Sequence, residues 1–100
     1  LFIRSDRKMV KVNFEAILYV ESLSDYIKIY CENKILVTRD TISNFEAKLP
    51  KKYFLRIHRS YIINIHKMDS HTNEFVEIKQ KALPISRTYK ENVLKKLADI

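Results

Sequence analysis

His58, Arg59 and Ser60 set three hydrogen-bonding side chains in a row between two apolar stretches, Phe54-Leu55-Arg56-Ile57 and Tyr61-Ile62-Ile63-Asn64. Arginine offers planar donors that fit phosphate or guanine, serine a hydroxyl, and histidine a donor at either ring nitrogen. A set of this kind suits a polyanion. His58 reads equally well as a satisfied, half-buried histidine at a strand end. For Arg59 the functional reading is the better one. Arg56, two residues earlier, shares the same acid-free surroundings.

A second constellation is Pro84-Ile85-Ser86-Arg87-Thr88-Tyr89-Lys90, where a strand gives way to a helix. Helix starts expose backbone N–H groups that suit phosphate. Ser86 or Thr88 is needed as the cap. Arg87 is not, and is free to project, with Lys90 about one turn on. The third is Ser22-Leu23-Ser24-Asp25-Tyr26-Ile27-Lys28, a hairpin tip whose Ser24, Asp25, Tyr26 and Lys28 can reach base edges. A plain turn explains it as well.

Other chemistry fits poorly. His58, His66 and His71 are spaced eight and five residues apart, far from Cys31, which is no ligand cluster. Ser60 lies near His58 but lacks an oxyanion-binding turn and a third member. The chain contains no glycine, which rules out glycine-rich phosphate loops and dinucleotide fingerprints. Neither catalysis nor a cofactor is expected. Without glycine, Asn, Asp and Ser must make the tight turns, with Asn33 and Asn73 the expected left-handed positions.

Charge singles out the same regions. Residues 1–46 carry seven Lys/Arg and seven Asp/Glu, whereas residues 47–100 carry twelve and five, the whole of the +7. Ala47 to Met68 has six Lys/Arg and no acid, and Ile78 to Lys90 has four and no acid. One basic face for a polyanion explains this distribution better than scattered solubilising lysines. Lys51, Lys52, Arg56, Arg59 and Lys90 are the expected phosphate contacts.

The elements that must position these residues are mostly strands. Phe2 to Ser5 and Met9 to Asn13 flank a turn at Asp6-Arg7-Lys8. Ile17 to Glu21, Tyr26 to Cys31 and Ile35 to Thr38 read as a three-stranded antiparallel meander. Thr41 is a plausible N-cap for a helix with Ile42, Phe45 and Leu49 on one face, ended by Pro50. Phe54 then opens a strand in which Phe54 and Arg56 point one way, Leu55 and Ile57 the other. His66 to Ser70 and Glu74 to Lys79 suggest a hairpin, and Ala82 to Ile85 a short strand. Thr88 and Glu91 fit a capping box for a helix from about Tyr89 to Ala98 that buries Tyr89, Val93, Leu94 and Leu97. Two short helices about 40 residues apart make no helix-turn-helix. Any DNA contact must come from loops or strand ends.

One hundred residues make a single domain, 1–100, large enough for a core without disulfide or metal. Leu1 in place of Met points to a domain cut from a longer chain. No apolar run approaches the roughly 20 residues of a membrane span, so no membrane partner is expected. The lone Cys31 fits a reducing cytoplasm.

With these constellations in view, the chain resembles the LytTR family of bacterial DNA-binding domains over nearly its whole length. The resemblance is carried by Ile17-Leu18-Tyr19-Val20-Glu21-Ser22 with Asp25-Tyr26, by Leu49-Pro50 with Phe54 to Asn64, and by Leu83-Pro84-Ile85-Ser86-Arg87-Thr88-Tyr89. It implies a mainly β, elongated arrangement of small antiparallel sheets with two short helices. Such domains form the output half of two-component response regulators, behind a phosphorylatable N-terminal receiver domain. They bind paired direct repeats in promoter DNA through loops in successive major grooves. Dimerisation on DNA or through the missing domain would follow. By position, Arg87 matches a base-contacting arginine of the family, and Arg59 a central contact near the backbone. Ser24-Asp25-Tyr26 matches a further major-groove loop, where some members have a histidine and this chain has none. The rival readings are a basic β-rich module for RNA or single strands and a protein-interaction module.

Overall fold

The computed structural model describes residues 1–100. Its centre is a five-stranded antiparallel sheet in the order β5-β4-β3-β7-β6. These strands are β3 (Ile17–Leu23), β4 (Tyr26–Cys31), β5 (Ile35–Arg39), β6 (Phe54–His58) and β7 (Tyr61–Asn64). The meander expected from Ile17 to Thr38 is three of the five. The central strand β3 opens Ile-Leu-Tyr-Val, all four buried, and β7 carries buried Ile62 beside buried Ile63. Unbroken apolar runs of this kind are what a strand covered on both faces requires.

Each face has its own core. On one, Val20, Ile27, Ile29, Phe54 and Ile62 meet Ile3, Val12, Ile42, Phe45 and Leu49. These come from the hairpin of β1 (Phe2–Ser5) and β2 (Lys8–Lys11), its exit, and the short helix α1 (Ile42–Glu46) with its exit. On the other, Leu18, Leu55, Ile57 and Ile63 meet Val76, Ile78, Leu83, Val93 and Leu97. These belong to the three-stranded sheet of β8 (Ser70–His71), β9 (Phe75–Ile78) and β10 (Lys81–Pro84), and to helix α2 (Arg87–Ala98). Each fully buried Ile or Leu contributes about 1.5–3 kcal/mol relative to exposure. The molecule measures 39 × 24 × 23 Å, elongated as the resemblance implied. No helix is long and apolar enough to cross a membrane.

Caps and turns differ in places from the sequence reading. Thr41 caps α1 as expected, its hydroxyl accepting from the Asn44 N–H at 3.0 Å. Helix α1 ends at Glu46, before Pro50, and Leu49 is buried from the turn that follows. The Thr88–Glu91 capping box does not form: Ser86 is the N-cap of α2, without a side-chain cap bond, and Arg87 is already the first helical residue. Only Val93 and Leu97 of α2 are fully buried; Tyr89 and Leu94 are half-buried. His66 lies in a single 3-10 turn rather than a strand, because buried Asn64 takes the His66 N–H on its side-chain oxygen at 3.0 Å and turns the chain.

The left-handed positions are Asp6, Arg7, Ser24, Lys79 and Gln80, not Asn33 and Asn73. Asp6-Arg7 and Lys79-Gln80 are two-residue hairpin loops with both residues at positive φ, the type I′ pattern whose twist suits a hairpin. Asn73 sits in a wider turn that the Thr72 hydroxyl closes, accepting from the Glu74 and Phe75 N–H groups.

Candidate nucleic-acid interface

Strand order decides which loops meet. The β3–β4 turn at Ser24-Asp25 and the β6–β7 turn at Arg59-Ser60 lie at the same end of the sheet, because β3 and β7 are neighbours. The Ser22 N–H donates to the Ser60 carbonyl at 2.9 Å and joins the two turns directly. The Ser86 N–H donates to the Ile57 carbonyl at 3.0 Å, which seats the start of α2 beside the same corner. Thus the tip, the corner and the helix start, far apart in sequence, form one row. Strand spacing puts the tip about 10 Å from the corner, and a helix width adds about 10 Å to Arg87.

The corner is held rigid from beneath. Arg56 donates from Nε to the His58 carbonyl at 2.7 Å and from one terminal nitrogen to the Arg59 carbonyl at 2.6 Å. Its other terminal nitrogen pairs with Glu46 at 2.7 Å, and the guanidinium lies 5.6 Å from the centre of the Tyr89 ring. The Arg56 side chain is only 11% exposed. The expected phosphate contact at Arg56 is therefore corrected: its donors are engaged inside the fold, where they shape the turn that presents Arg59. Its alternation with buried Phe54 was the signal for this inward role.

His58 is half-buried, with its ring edge-on to Tyr61 at 5.5 Å. Its Nδ1 accepts from the Ser60 N–H at 3.0 Å, which leaves Nε2 to carry the proton. Tyr61 in turn donates to Glu21 at 3.1 Å, and Tyr30 to the same carboxylate at 2.9 Å. Burial first, and then the Glu21 carboxylate, push the Tyr61 and Tyr30 phenols above their usual range. They remain proton donors, and the corner rests on a fixed polar bracket.

Arg59 and Arg87 are exposed, and no ion pair involves either. Ser24, Asp25 and Tyr26 are exposed at the tip, with Lys28 half-buried two residues inward. Lys90 lies one turn into α2, where its ammonium meets Glu74 at 2.6 Å. Lys51 and Lys52 are not brought to this row. They precede β6 at its opposite end, about 13 Å of strand away from the corner. Lys52 there lies 5.7 Å from the Tyr53 ring. Both lysines, expected as phosphate contacts, are exposed there, and the length of β6 separates them from Arg59 although they are close to it in sequence.

One member of the row escaped the sequence reading. Arg39 ends β5 directly opposite Tyr26, and its guanidinium lies 5.5 Å from the centre of that ring. The register counted back from the Glu32-Asn33-Lys34 turn was the signal that would have found it. No cluster of three His, Cys, Asp or Glu side chains is placed to hold a metal ion.

Known proteins resemble this chain in sequence and in fold. A family model described as the LytTr DNA-binding domain matches residues 7–98. The Sensory transduction protein LytT of Bacillus anthracis is 34% identical over 101 residues, which cover 95% of this chain and 41% of the relative. LytT of Bacillus subtilis (strain 168) is 29% identical over 98 residues, 92% of this chain and 40% of the relative. The chain thus spans well under half the length of these relatives. Among solved structures, the LytTr DNA-binding domain of a Bacillus cereus protein described as a putative methyl-accepting/DNA response regulator superposes with a TM-score of 0.81. That match covers 100% of this chain and 96% of the other at 22% identity, a likeness of fold.

Proposed function

The chain belongs to the LytTr family of DNA-binding domains, and on that premise we propose that it reads specific sequences in double-stranded promoter DNA. In this reading residues 1–100 are one domain, the output half of a bacterial two-component response regulator with a receiver domain on its N-terminal side. It acts in the cytoplasm, on direct repeats, and dimerises on DNA or through the receiver. The domain performs no catalysis itself. Its tip and its helix start enter successive major grooves, with the corner over the backbone between them.

The observation that carries this reading is the single row of tip, corner and helix start, pinned by the Ser22–Ser60 and Ser86–Ile57 backbone bonds. Arg87 reads a base edge, with guanine O6/N7 the best fit, where a bidentate contact discriminates by about 1–3 kcal/mol. Arg59, His58 and Ser60 grip phosphate and set register. Ser24, Asp25, Tyr26 and Lys28 address the second groove, and Lys90 exchanges Glu74 for a phosphate.

Single-strand or RNA binding leans on aromatic platforms. The most exposed aromatics here, Phe2, Tyr26 and Phe75, stand on three separate elements, which favours the duplex reading. The test is selection of a duplex from a random-sequence pool, then comparison of Arg87→Ala and Arg59→Ala on the selected and a scrambled duplex. Arg87→Ala should lose the preference by about tenfold or more. Arg59→Ala should weaken both complexes alike and lower the salt slope by about 0.9. An Arg87→Ala variant that keeps the full preference would overturn the base-reading role.

A further inference from the structure

Beyond the tip, strand β5 stops at Arg39, at the same end of the sheet as the tip and the corner. Beside it lies a shallow cleft of about 220 Å³ between the β1–β2 hairpin and β5. Arg4, Arg39 and Lys48 line this cleft, together with Asp40. Asp40 is already engaged: it accepts from the Thr41 N–H at 2.7 Å and meets Lys48 at 3.9 Å. Arg4 and Arg39 are exposed, and neither takes part in an ion pair. Stacking on Tyr26 holds the Arg39 guanidinium at the rim of the tip and limits the side-chain freedom lost on binding.

We propose that the end of β5, at the mouth of this cleft, is a phosphate site: the Arg39 guanidinium, on the sheet face it shares with Tyr26, grips the DNA backbone at the outer flank of the groove entered by the tip, and Arg4 across the cleft adds charge. The site rests on the duplex-binding reading and extends it. From Arg39 to Arg87 the row spans about 25–30 Å, close to the roughly 34 Å of one duplex turn. Clamps at Arg39 and Arg59 then bracket the tip, so the tip addresses bases from between two fixed points. Tyr26 serves this clamp by orienting the Arg39 guanidinium beneath the backbone it grips.

The experiment measures binding of the 100-residue chain to the selected and the scrambled duplex across a salt series. Arg39→Gln should bind both duplexes about five- to tenfold more weakly at low salt, with a slope lower by about 0.9. The ratio between the duplexes and the melting temperature should stay unchanged. Arg39→Lys should restore the slope, because it returns the charge, and Arg4→Gln should repeat the loss on a smaller scale. An unchanged slope for Arg39→Gln would overturn the site. The two readings separate cleanly. A wild-type chain without preference between duplexes, but with a slope that still falls on Arg39→Gln, would end the sequence-reading function and leave the phosphate site. A wild-type chain that binds neither duplex would end both.

Discussion

The two ends of the five-stranded sheet carry similar charge and differ in how it is held. At the end with the tip and corner, Arg39, Arg59 and Arg87 are exposed without ion-pair partners, on turns braced by backbone bonds. At the other end Lys67 pairs with Glu32 at 2.8 Å, Lys52 leans on Tyr53, and Lys51 stands in the turn before β6. Arg59, Lys51, Lys52 and Lys67 all fall in the same acid-free window, yet they stand at opposite ends of the sheet. Net charge along the chain therefore suits a polyanion partner, and only the strand order separates the end proposed to meet it from the other.

The largest expected effect tests whether the end with the tip and corner depends on its buried brace. Arg56→Ala should cost about 2–4 kcal/mol in urea denaturation, since charged hydrogen bonds to two carbonyls and Glu46 are lost together. Arg56→Lys should recover little of this, because one ammonium cannot span all three acceptors. Lys52→Ala, at the far end, should stay within about 0.5 kcal/mol of wild type. A Lys52→Ala cost equal to that of Arg56→Ala would dissolve the contrast.

Next in size is a difference in DNA affinity. Arg59→Ala should weaken duplex binding about tenfold at low salt, whereas Lys51→Ala combined with Lys52→Ala should change it less than about twofold, as read by titration of a labelled duplex. Equal losses would mean that both ends touch DNA.

Alkaline pH should loosen the end with the tip and corner. Tyr30 and Tyr61 hold their protons above the ordinary 10.0 in the folded state, because of burial and the Glu21 carboxylate. Their contribution is thus complete below about pH 10 and is lost as pH rises through the raised values. The melting temperature should fall above about pH 10 in step with phenolate absorbance. Glu21→Gln should bring the phenol titration closer to its ordinary value.

The smallest effect compares two left-handed residues. Gln80→Gly, at φ 67, should gain about 0.5 kcal/mol of stability and leave DNA binding intact. Ser24→Gly, at φ 53, should be close to neutral for stability yet weaken duplex binding by freeing the tip. Melting curves and duplex titration on the pair settle this.

Much of the fold was readable from residue types. The Ile17 to Thr38 meander, the Thr41 cap and the Phe54–Asn64 hairpin follow from local patterns of apolar residues and turn formers, whose energetics act over a few residues. The brace was not, because an arginine in an acid-free window looks free until Glu46 arrives from α1. Lys90 looked free for the same reason, with Glu74 brought to it from the turn before β9. The left-handed turns were misplaced at Asn33 and Asn73. Propensity favours asparagine there, but hairpin length sets the requirement, and it overrode the preferences of Arg7, Lys79 and Gln80.

By itself the sequence determined the family, the β-rich class and the absence of glycine-dependent chemistry, and it supplied the three segments proposed to meet DNA. These depend on residue identity and short-range periodicity. Which segments share a surface was decided by tertiary structure alone. Pairing β3 with β7 and seating Ser86 on Ile57 brought tip, corner and helix start together, added Arg39, withdrew Arg56 into the fold and left Lys51 and Lys52 at the far end. The physical reason is that a strand carries its two ends about 3.3 Å further apart with each residue, while hydrogen bonds between strands join residues from anywhere in the chain.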